Sequence, residues 1–329
     1  MTVNISIDAM GGDFGPNVTM EAVTRVLANH SDVSALIFGD RSALVRFIGE
    51  DLDSKIRSRL QICHCESQVD CDDKPSNVVR SKQDSSMALA LKSIKDGDAQ
   101  ACISAGNTGV LMALSLFTLG TLPGISRPAI CAEIPTNNGN KLMLDLGANV
   151  DCSAQQLYQF TVLGTHTAKL ALGIANPSVR LLNVGSEAGK GNNLVQATAA
   201  ILELDDSLDY QGFIEGDGIF QGRADVIVCD GFSGNIALKA GEGVARYISQ
   251  KLSKLSTGQE QQFADLKASI QPSLFNGAYL LGINGVVVKS HGGADVQAFA
   301  NALERAINAA RQQLPSALAP ELEKTIKVN

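Results

Sequence analysis

Six times along this chain, a short apolar segment rich in Val, Ile and Leu ends in a loop of Gly, Asp, Asn and Ser, and a helix-like pattern follows. The six loops are residues 8–13, 104–109, 145–149, 185–192, 230–235 and 290–293. Apolar strands that alternate with helical segments favour a layered α/β fold around a mostly parallel sheet. Because the carboxyl ends of parallel strands share one edge, we expect these loops to converge on one crevice, where such folds bind ligands.

The composition of the loops predicts an anionic ligand. Glycine lets backbone N–H groups approach an anion closely, and a helix that begins just after the loop adds the positive end of its dipole. We expect contacts with the substrate at polar and glycine positions of these loops. The predicted contacts are Asp8, Gly11, Gly12, Ser104, Gly106, Asn107, Thr108, Asp145, Asn149, Asp230 and His291.

The composition and charge of the chain limit the classes of protein to which it can belong. No linker or low-complexity segment divides the 329 residues, which predicts a single domain over residues 1–329. A net charge of −7 argues against nucleic-acid binding, which requires a basic face. The start of the chain has no signal-peptide pattern, and the apolar segment 110–119 is too short to span a bilayer. Because there is no signal peptide, the seven cysteines are expected to be reduced thiols. We therefore expect a cytoplasmic protein.

The loop at residues 185–191 resembles a nucleotide-binding Walker loop, because it follows a strand and places Lys190 after a glycine. Three residues separate its glycines where the pattern requires four, and Gly191 stands where a magnesium-binding Ser or Thr is needed. This excludes an ATPase of that class. Lys190 remains a candidate for holding phosphate, and a solvated loop lysine is the alternative.

Other familiar sites also fail. Residues 11–15 lack the spaced glycines of a dinucleotide fold, and His291 lies beside Ser290 without the nucleophile elbow of a serine hydrolase. Cys63-His64-Cys65 matches no common zinc spacing. The sequence therefore predicts no cofactor and no metal ion.

Two loops carry donors suited to a developing oxyanion. Residues 104–108 place hydroxyl, amide and backbone donors ahead of a predicted helix at 109–119, and residues 230–235 repeat the arrangement with Asn235. Helix capping is the alternative for both. Further on, apolar positions on one helical face before and after Thr257 predict a helical hairpin at about 242–275, which either covers the core, packs on a partner subunit or touches a membrane surface.

Taken in order, several segments resemble the bacterial phosphate acyltransferases of phospholipid synthesis, and they run nearly from end to end of the chain. The matching segments are residues 7–13, 85–87, 102–109, 127–129, 144–151, 230–235, 276–278 and 289–292. Each segment is modest alone, but their joint order is specific.

The resemblance implies a three-layer α/β/α homodimer similar in fold to phosphotransacetylases and isocitrate dehydrogenases. It implies transfer of a fatty acyl group from acyl-acyl carrier protein to inorganic phosphate, with Lys190 and Asn235 as catalytic residues. It also implies peripheral attachment to the inner face of the membrane through the hairpin, and delivery of acyl phosphate to a membrane glycerol-phosphate acyltransferase. Residues 253–262 of this hairpin are strongly polar, which argues against direct insertion into the bilayer.

The residues suggest a division of labour for this reaction. Lys190 holds phosphate while Asn235 or residues 104–108 stabilise the oxyanion. The apolar helical side chains Val110, Leu111, Leu114 and Phe117 are candidates for the acyl channel, with an ordinary core as the alternative. The basic residues Arg80, Lys82, Lys92 and Lys95 are candidates for docking the acidic carrier protein. A phosphotransacetylase that uses a short acyl-coenzyme A and a metabolite sensor without turnover are the rival functions.

Overall fold

The computed structural model describes residues 2–49, 51–252 and 276–326. In these ranges eleven strands form one continuous sheet. The strands are β1 (Val3–Asp8), β2 (Val33–Gly39), β3 (Leu60–His64), β4 (Ala101–Ser104), β5 (Ala129–Thr136), β6 (Gly139–Leu144), β7 (Ser178–Leu182), β8 (Asp209–Ile214), β9 (Val226–Val228), β10 (Ala278–Leu281) and β11 (Val286–Lys289). Their order across the sheet is β3-β2-β1-β4-β11-β10-β5-β6-β9-β7-β8.

The sheet is mostly parallel, as predicted, but it reverses direction in the middle. Seven of the ten neighbouring pairs are parallel, and the three antiparallel pairs are β11 with β10, β10 with β5, and β5 with β6. Strands β1 to β4 and β11 therefore run opposite to β6 to β9. The expectation that all six loops share one edge is wrong, because three antiparallel steps leave the two halves pointing in opposite directions.

Helices cover both faces of the sheet, which confirms the three-layer α/β/α architecture. One face carries α1 (Pro16–Asn29), α7 (Ala154–Ala171), α8 (Asn193–Leu202), α10 (Val296–Arg311) and α11 (Leu314–Thr325). The other carries α4 (Pro75–Ser81), α5 (Ser86–Lys95), α6 (Thr108–Leu119) and α9 (Gly231–Leu252). Two short helices, α2 (Arg41–Val45) and α3 (Ser54–Arg57), and a 3-10 helix at Gly216–Gln221 lie between strands.

Two apolar cores form because successive strand residues point to opposite faces. In β4, Ala101 and Ile103 belong to the core under α1 and α10, whereas Cys102 belongs to the core under α5 and α6. The same alternation holds in β11, where Val287 faces away from Val286 and Val288. Strands buried on both faces explain the near-continuous apolar runs of the sequence.

Helix α9 begins eleven residues before the predicted start of the helical hairpin. The Asp230 carboxylate accepts hydrogen bonds from the backbone N–H of Ser233 at 2.8 Å and from its hydroxyl at 2.9 Å, so it caps the helix. Residues 231–235, which the sequence suggested as a loop, therefore form the first turn. The remainder of the predicted hairpin, residues 253–275, lies outside the described residues. No helix in the described ranges has the length and apolar character needed to cross a membrane.

Candidate active site

The loops after β1, β4 and β11 meet around the carboxylate of Asp8. This side chain is fully buried and accepts hydrogen bonds from the hydroxyls of Ser104 at 2.6 Å and Ser86 at 2.7 Å. Burial raises the pKa of Asp8, and these hydroxyls together with backbone N–H groups of the next loop partly offset that rise. The predicted substrate contacts Asp8 and Ser104 are thus bonded to each other and hold the loops in place.

Glycine is required where these loops touch. A Cβ on Gly11 would lie 2.6 Å from the backbone nitrogen of Gly106, so any larger residue would separate the two loops. Gly12 has φ +86°, and a Cβ there would lie 2.9 Å from the carbonyl oxygen of Gly292. The backbone of Asp13 donates to that same carbonyl at 2.9 Å. Three strand ends that are distant in sequence therefore form one tightly packed unit.

The amide of Asn107 is engaged in holding structure. Its Oδ1 accepts from the backbone N–H of Val110 at 3.2 Å and caps α6. Its Nδ2 donates to the carbonyls of Cys71 at 2.8 Å and Asp73 at 3.3 Å. Both amide hydrogens are thus occupied. Among the predicted oxyanion donors of this loop, the Thr108 side chain and the backbone remain.

The loop after β6 is organised by a second buried carboxylate. Asp145 accepts hydrogen bonds from the backbone N–H groups of Ile130 and Ala148, both at 2.9 Å, and from that of Asn149 at 2.7 Å. Burial raises the pKa of Asp145, against these hydrogen bonds. The Asn149 amide donates to Asp145 and to the carbonyl of Pro128 at 2.9 Å. Asp145 and Asn149, two predicted substrate contacts, are therefore buried supports of this loop.

Asn235 is positioned by close packing between α9 and the loop after β6. A Cβ on Gly234 would overlap the carbonyl oxygen of Asp145 and lie 2.8 Å from Sγ of Cys229, so α9 approaches the strand end as only glycine permits. Gly147 lies against Asn235, since a Cβ built on it would be 3.5 Å from Cβ of Asn235. Within the described part of the chain, no hydrogen bond occupies the Asn235 amide, which is exposed to the cavity described next.

A cavity of about 270 Å³ lies over the antiparallel centre of the sheet, between the beginnings of α6 and α9. Its floor is apolar and consists of Ile130, Ala132, Leu146 and Leu238. Its polar wall contains Thr108, Asn235, Lys239, Glu242, Asn276, Lys289, Ser290 and His291. Side chains from both oppositely directed halves therefore face one space.

A second cavity, of about 450 Å³, adjoins the first, because Thr108 and Lys289 line both. Its remaining wall comes from the loops after β1, β4 and β11 and from a segment that precedes α4. These residues are Met10, Gly12, Asp13, Gln68, Val69, Asp70, Cys71, Ala105, Gly106, Asn107 and Gly292. We call the first the central cavity and the second the outer cavity.

Two titratable groups of the central cavity have altered pKa values. Burial, with a further contribution from the charge of Lys239, lowers the pKa of Lys289 to about 8. Burial and the same lysine also lower the pKa of His291. The Nδ1 atom of His291 accepts from the backbone N–H of Gly293 at 3.1 Å, so a neutral His291 carries its proton on Nε2. Neutral His291 is therefore a hydrogen-bond donor.

Lys190 lies outside both cavities in the described structure. It is exposed in the loop after β7, the strand that neighbours β9 and hence the start of α9. The carbonyl of Lys190 accepts from Asn183 at 3.0 Å and from Gln196, and its N–H donates to the carbonyl of Glu187 at 3.0 Å. The backbone of the loop is thus fixed, while the ammonium group extends into solvent.

Three of the four candidate acyl-channel residues belong to the core instead. Val110, Leu111 and Leu114 are fully buried beneath α6 against the sheet, and Phe117 is 64 % exposed on the opposite side. They line neither cavity, because α6 packs that face on the strands below. The apolar lining of the site comes from the floor of the central cavity.

Five polar residues of the central cavity were not among the predicted site residues: Lys239, Glu242, Asn276, Lys289 and Ser290. The first two follow Asn235 at helical spacing, and a helix that starts at residue 231 places all three on one face. Lys289 is the last residue of β11, beside Ser104 at the end of β4. The predicted site residues near this strand lie in the loop that follows it, whereas Lys289 belongs to the strand itself.

Comparison with known proteins shows the family to which the chain belongs. A family model described as "Fatty acid synthesis protein" matches residues 3–317. The chain is 47 % identical to a phosphate acyltransferase of Pseudomonas putida strain F1, over 97 % of each chain. It is 46 % identical to a phosphate acyltransferase of Nitrosococcus oceani, over 98 % of this chain and 97 % of the relative.

Solved structures show the same fold at low sequence identity. A phosphotransacetylase from Streptococcus pyogenes is 18 % identical, covers 94 % of each chain and has a TM-score of 0.63. A branched-chain phosphotransacylase from Enterococcus faecalis V583 is 14 % identical, covers 94 % of this chain and 99 % of its own, and has a TM-score of 0.60. The sequence matches identify the chain as a member of the phosphate acyltransferase family, an acyltransferase of fatty acid synthesis.

Proposed function

We propose that this protein transfers a fatty acyl group from acyl-acyl carrier protein to inorganic phosphate, and so forms the acyl phosphate that feeds phosphatidic acid synthesis. The observation that carries the proposal is the central cavity, in which an apolar floor lies beneath amide, hydroxyl and ammonium groups. An acyl thioester needs the apolar surface, and phosphate needs the cations and donors. Both requirements are met within one space.

The chemistry requires positioning and electrostatic stabilisation more than a covalent intermediate. An oxygen of hydrogen phosphate attacks the thioester carbonyl, and the carbonyl electrons move onto its oxygen. When they return, the C–S bond breaks, and the proton of hydrogen phosphate ends on the released thiol. The products are acyl phosphate and the free thiol of the carrier, so no oxidant or cofactor is consumed.

Asn235 is our proposed oxyanion donor. The Asn107 amide already donates to two carbonyls, whereas within the described residues that of Asn235 has no such partner. Asn235 also lies beside Gly147 over the apolar floor, where a thioester carbonyl would be held. Removing one such donor typically costs roughly 100- to 1,000-fold in rate. We retain Lys190 as a catalytic residue on the strength of the family resemblance, although it lies outside both cavities in the described structure.

The carrier protein is acidic, so we propose that it docks on basic residues at the surface. Of the four basic candidates, Lys82 is held by Asp73 at 2.6 Å and Asp70 at 3.1 Å, and Lys92 is paired with Asp96. Arg80 and Lys95 are exposed, and they are the stronger candidates. A homodimer, a cytoplasmic location with peripheral membrane attachment, and delivery to a membrane glycerol-phosphate acyltransferase are further proposals that rest on the resemblance.

The test uses purified full-length protein, acyl-acyl carrier protein and phosphate. Release of free thiol is followed alongside trapping of acyl phosphate by hydroxylamine, and we expect both signals to appear in equal amounts and only when phosphate is present. A chain-length series of acyl-coenzyme A substrates runs in parallel. Preference for a short acyl-coenzyme A would replace the proposal with a phosphotransacetylase, and binding of phosphate without thiol release would replace it with a sensor.

A further inference from the structure

Lys289 occupies the boundary between the two cavities. It ends β11, and its Nζ donates to the carbonyl of Ala105 at 3.3 Å and to that of Ser290. A lysine ammonium has three N–H donors, so two backbone carbonyls leave one for a ligand. These carbonyls also fix the position of the ammonium group against the walls of both cavities.

A second ammonium group faces the central cavity from the opposite half of the fold. Lys239 lies one helical turn beyond Asn235 on α9 and pairs with Glu242 at 2.8 Å. Glu242 is the one carboxylate in the described lining of the central cavity, against the two lysines and a neutral His291. The wall of that cavity therefore has an excess of positive charge, which favours an anion.

The charge on Lys289 is incompletely compensated. Burial and the charge of Lys239 together lower the pKa of Lys289 to about 8, whereas Asp8 and Asp13 oppose the shift. Asp8 is bonded to two serine hydroxyls, and the described residues give Lys289 no ion pair of its own. A bound dianion would supply the missing negative charge and raise this pKa again.

We propose that Lys289 and Lys239 bind the phosphate substrate together, and that Lys289 holds it at the boundary of the two cavities, against the thioester. This rests on the proposed function and deepens it, because it locates the nucleophile within the cavities. Lys190 then acts from outside the two cavities. Asn235 precedes Lys239 by one helical turn, so the two side chains lie on the same face of α9. Asn235 therefore donates to the developing oxyanion next to the phosphate that Lys239 binds.

The pH dependence of phosphate use follows from this assignment. In the free enzyme, the falling limb of kcat/KM for phosphate lies above about pH 8, because Lys289 must be protonated to bind the anion. The charged and titratable groups that face the two cavities with it are Asp8 at the end of β1, Asp13 in the loop that follows, Asp70 and Cys71 before α4, Lys239 and Glu242 on α9, and His291. His291 is neutral above pH 7, since its pKa is lowered, so it does not produce this limb.

Three substitutions test the proposal: Lys289→Met, Lys239→Met and Lys289→Arg. Lys324→Met is the matched control, because Lys324 is an exposed lysine paired with Glu321 on α11, on the other face of the sheet. Lys289→Met should raise KM for phosphate by roughly 30-fold or more. Lys239→Met removes a more exposed charge and should raise KM for phosphate by roughly 5-fold. Both variants should change KM for the acyl carrier less. Lys289→Arg keeps the charge, so it should retain phosphate binding and extend it above pH 8. Lys324→Met should match the wild type.

Titration calorimetry with inorganic phosphate separates this proposal from the proposed function. If the wild type binds phosphate and both Met variants bind it more weakly, but the wild type forms no acyl phosphate, then the phosphate site stands and the assigned reaction falls. Folded Lys289→Met and Lys239→Met variants with wild-type phosphate affinity and an unchanged pH limb would overturn the site. Lys239 is exposed on its helix, so Lys239→Met tests the site even if Lys289→Met fails to fold.

Discussion

Gly234 controls the distance between α9 and the end of β6, and Gly234→Ala should therefore damage both stability and catalysis. The new Cβ would lie 2.8 Å from Sγ of Cys229 and overlap the carbonyl of Asp145. Ordinary contact needs about 3.5–4.0 Å, so the start of α9 must move by at least about 1 Å. Overpacking of this kind costs about 1–3 kcal/mol of unfolding free energy. A displacement of that size at the neighbouring Asn235 costs roughly 100-fold in rate.

Gly243→Ala in the same helix is the matched control, because a Cβ there meets no atom of the described residues within 4 Å. Replacing an interior helical glycine by alanine should raise the unfolding free energy by up to about 1 kcal/mol and leave activity unchanged. Urea unfolding gives the free energies, and thiol release gives the rates. A Gly234→Ala protein with wild-type stability and wild-type rate would show that this close approach does not position Asn235.

Three further predictions concern other parts of the structure. Asn235→Ala should lower the acyl-transfer rate roughly 100-fold or more at unchanged melting temperature. Asn107→Ala should instead lower the unfolding free energy by about 1 kcal/mol, because the cap of α6 is lost. Thermal unfolding and thiol-release assays distinguish the two effects. Gly11→Ala should destabilise the protein by about 1–3 kcal/mol in urea unfolding, because it separates two strand-end loops. Burial acts to raise the pKa of Asp225, but the hydrogen bond from Lys141 at 2.6 Å helps to leave it lowered. The stabilisation by this pair is therefore present above about pH 4 and lost below it, so the stability difference between wild type and Lys141→Met should shrink as the pH falls through that range.

Much of the fold was predictable, because strands buried on both faces leave a strong local pattern. The strands at Val3–Asp8 and Ala101–Ser104 and the helix at Thr108–Leu119 lie where the apolar runs and loop residues placed them. The reversal of the sheet was not predictable in the same way. It requires β10, Ala278–Leu281, which has only four residues and pairs on one side with β11, the next strand along the chain, and on the other with the distant β5. The pairing of β10 with β5 has no local signature in the sequence.

The site was predictable as a set of loops but not as a division of roles. Glycine, Asp and Asn at strand ends indicated six loops, five of which contact or line the two cavities, yet Asp8 and Asp145 are buried supports. Whether a polar side chain faces a ligand or another loop depends on packing between segments that are far apart in sequence. Lys239 and Lys289 were not predicted for the same reason, because helix phase and strand register direct them to the central cavity.

The reversal of the sheet also bears on how the protein folds. The central cavity lies across it, with Thr108 and His291 contributed by one half and Asn235 by the other. Contacts between residues so far apart in sequence carry a high loop-closure entropy and form slowly. We expect substrate binding to appear only late in refolding, after both halves have docked, so that a fragment containing either half alone would be inactive.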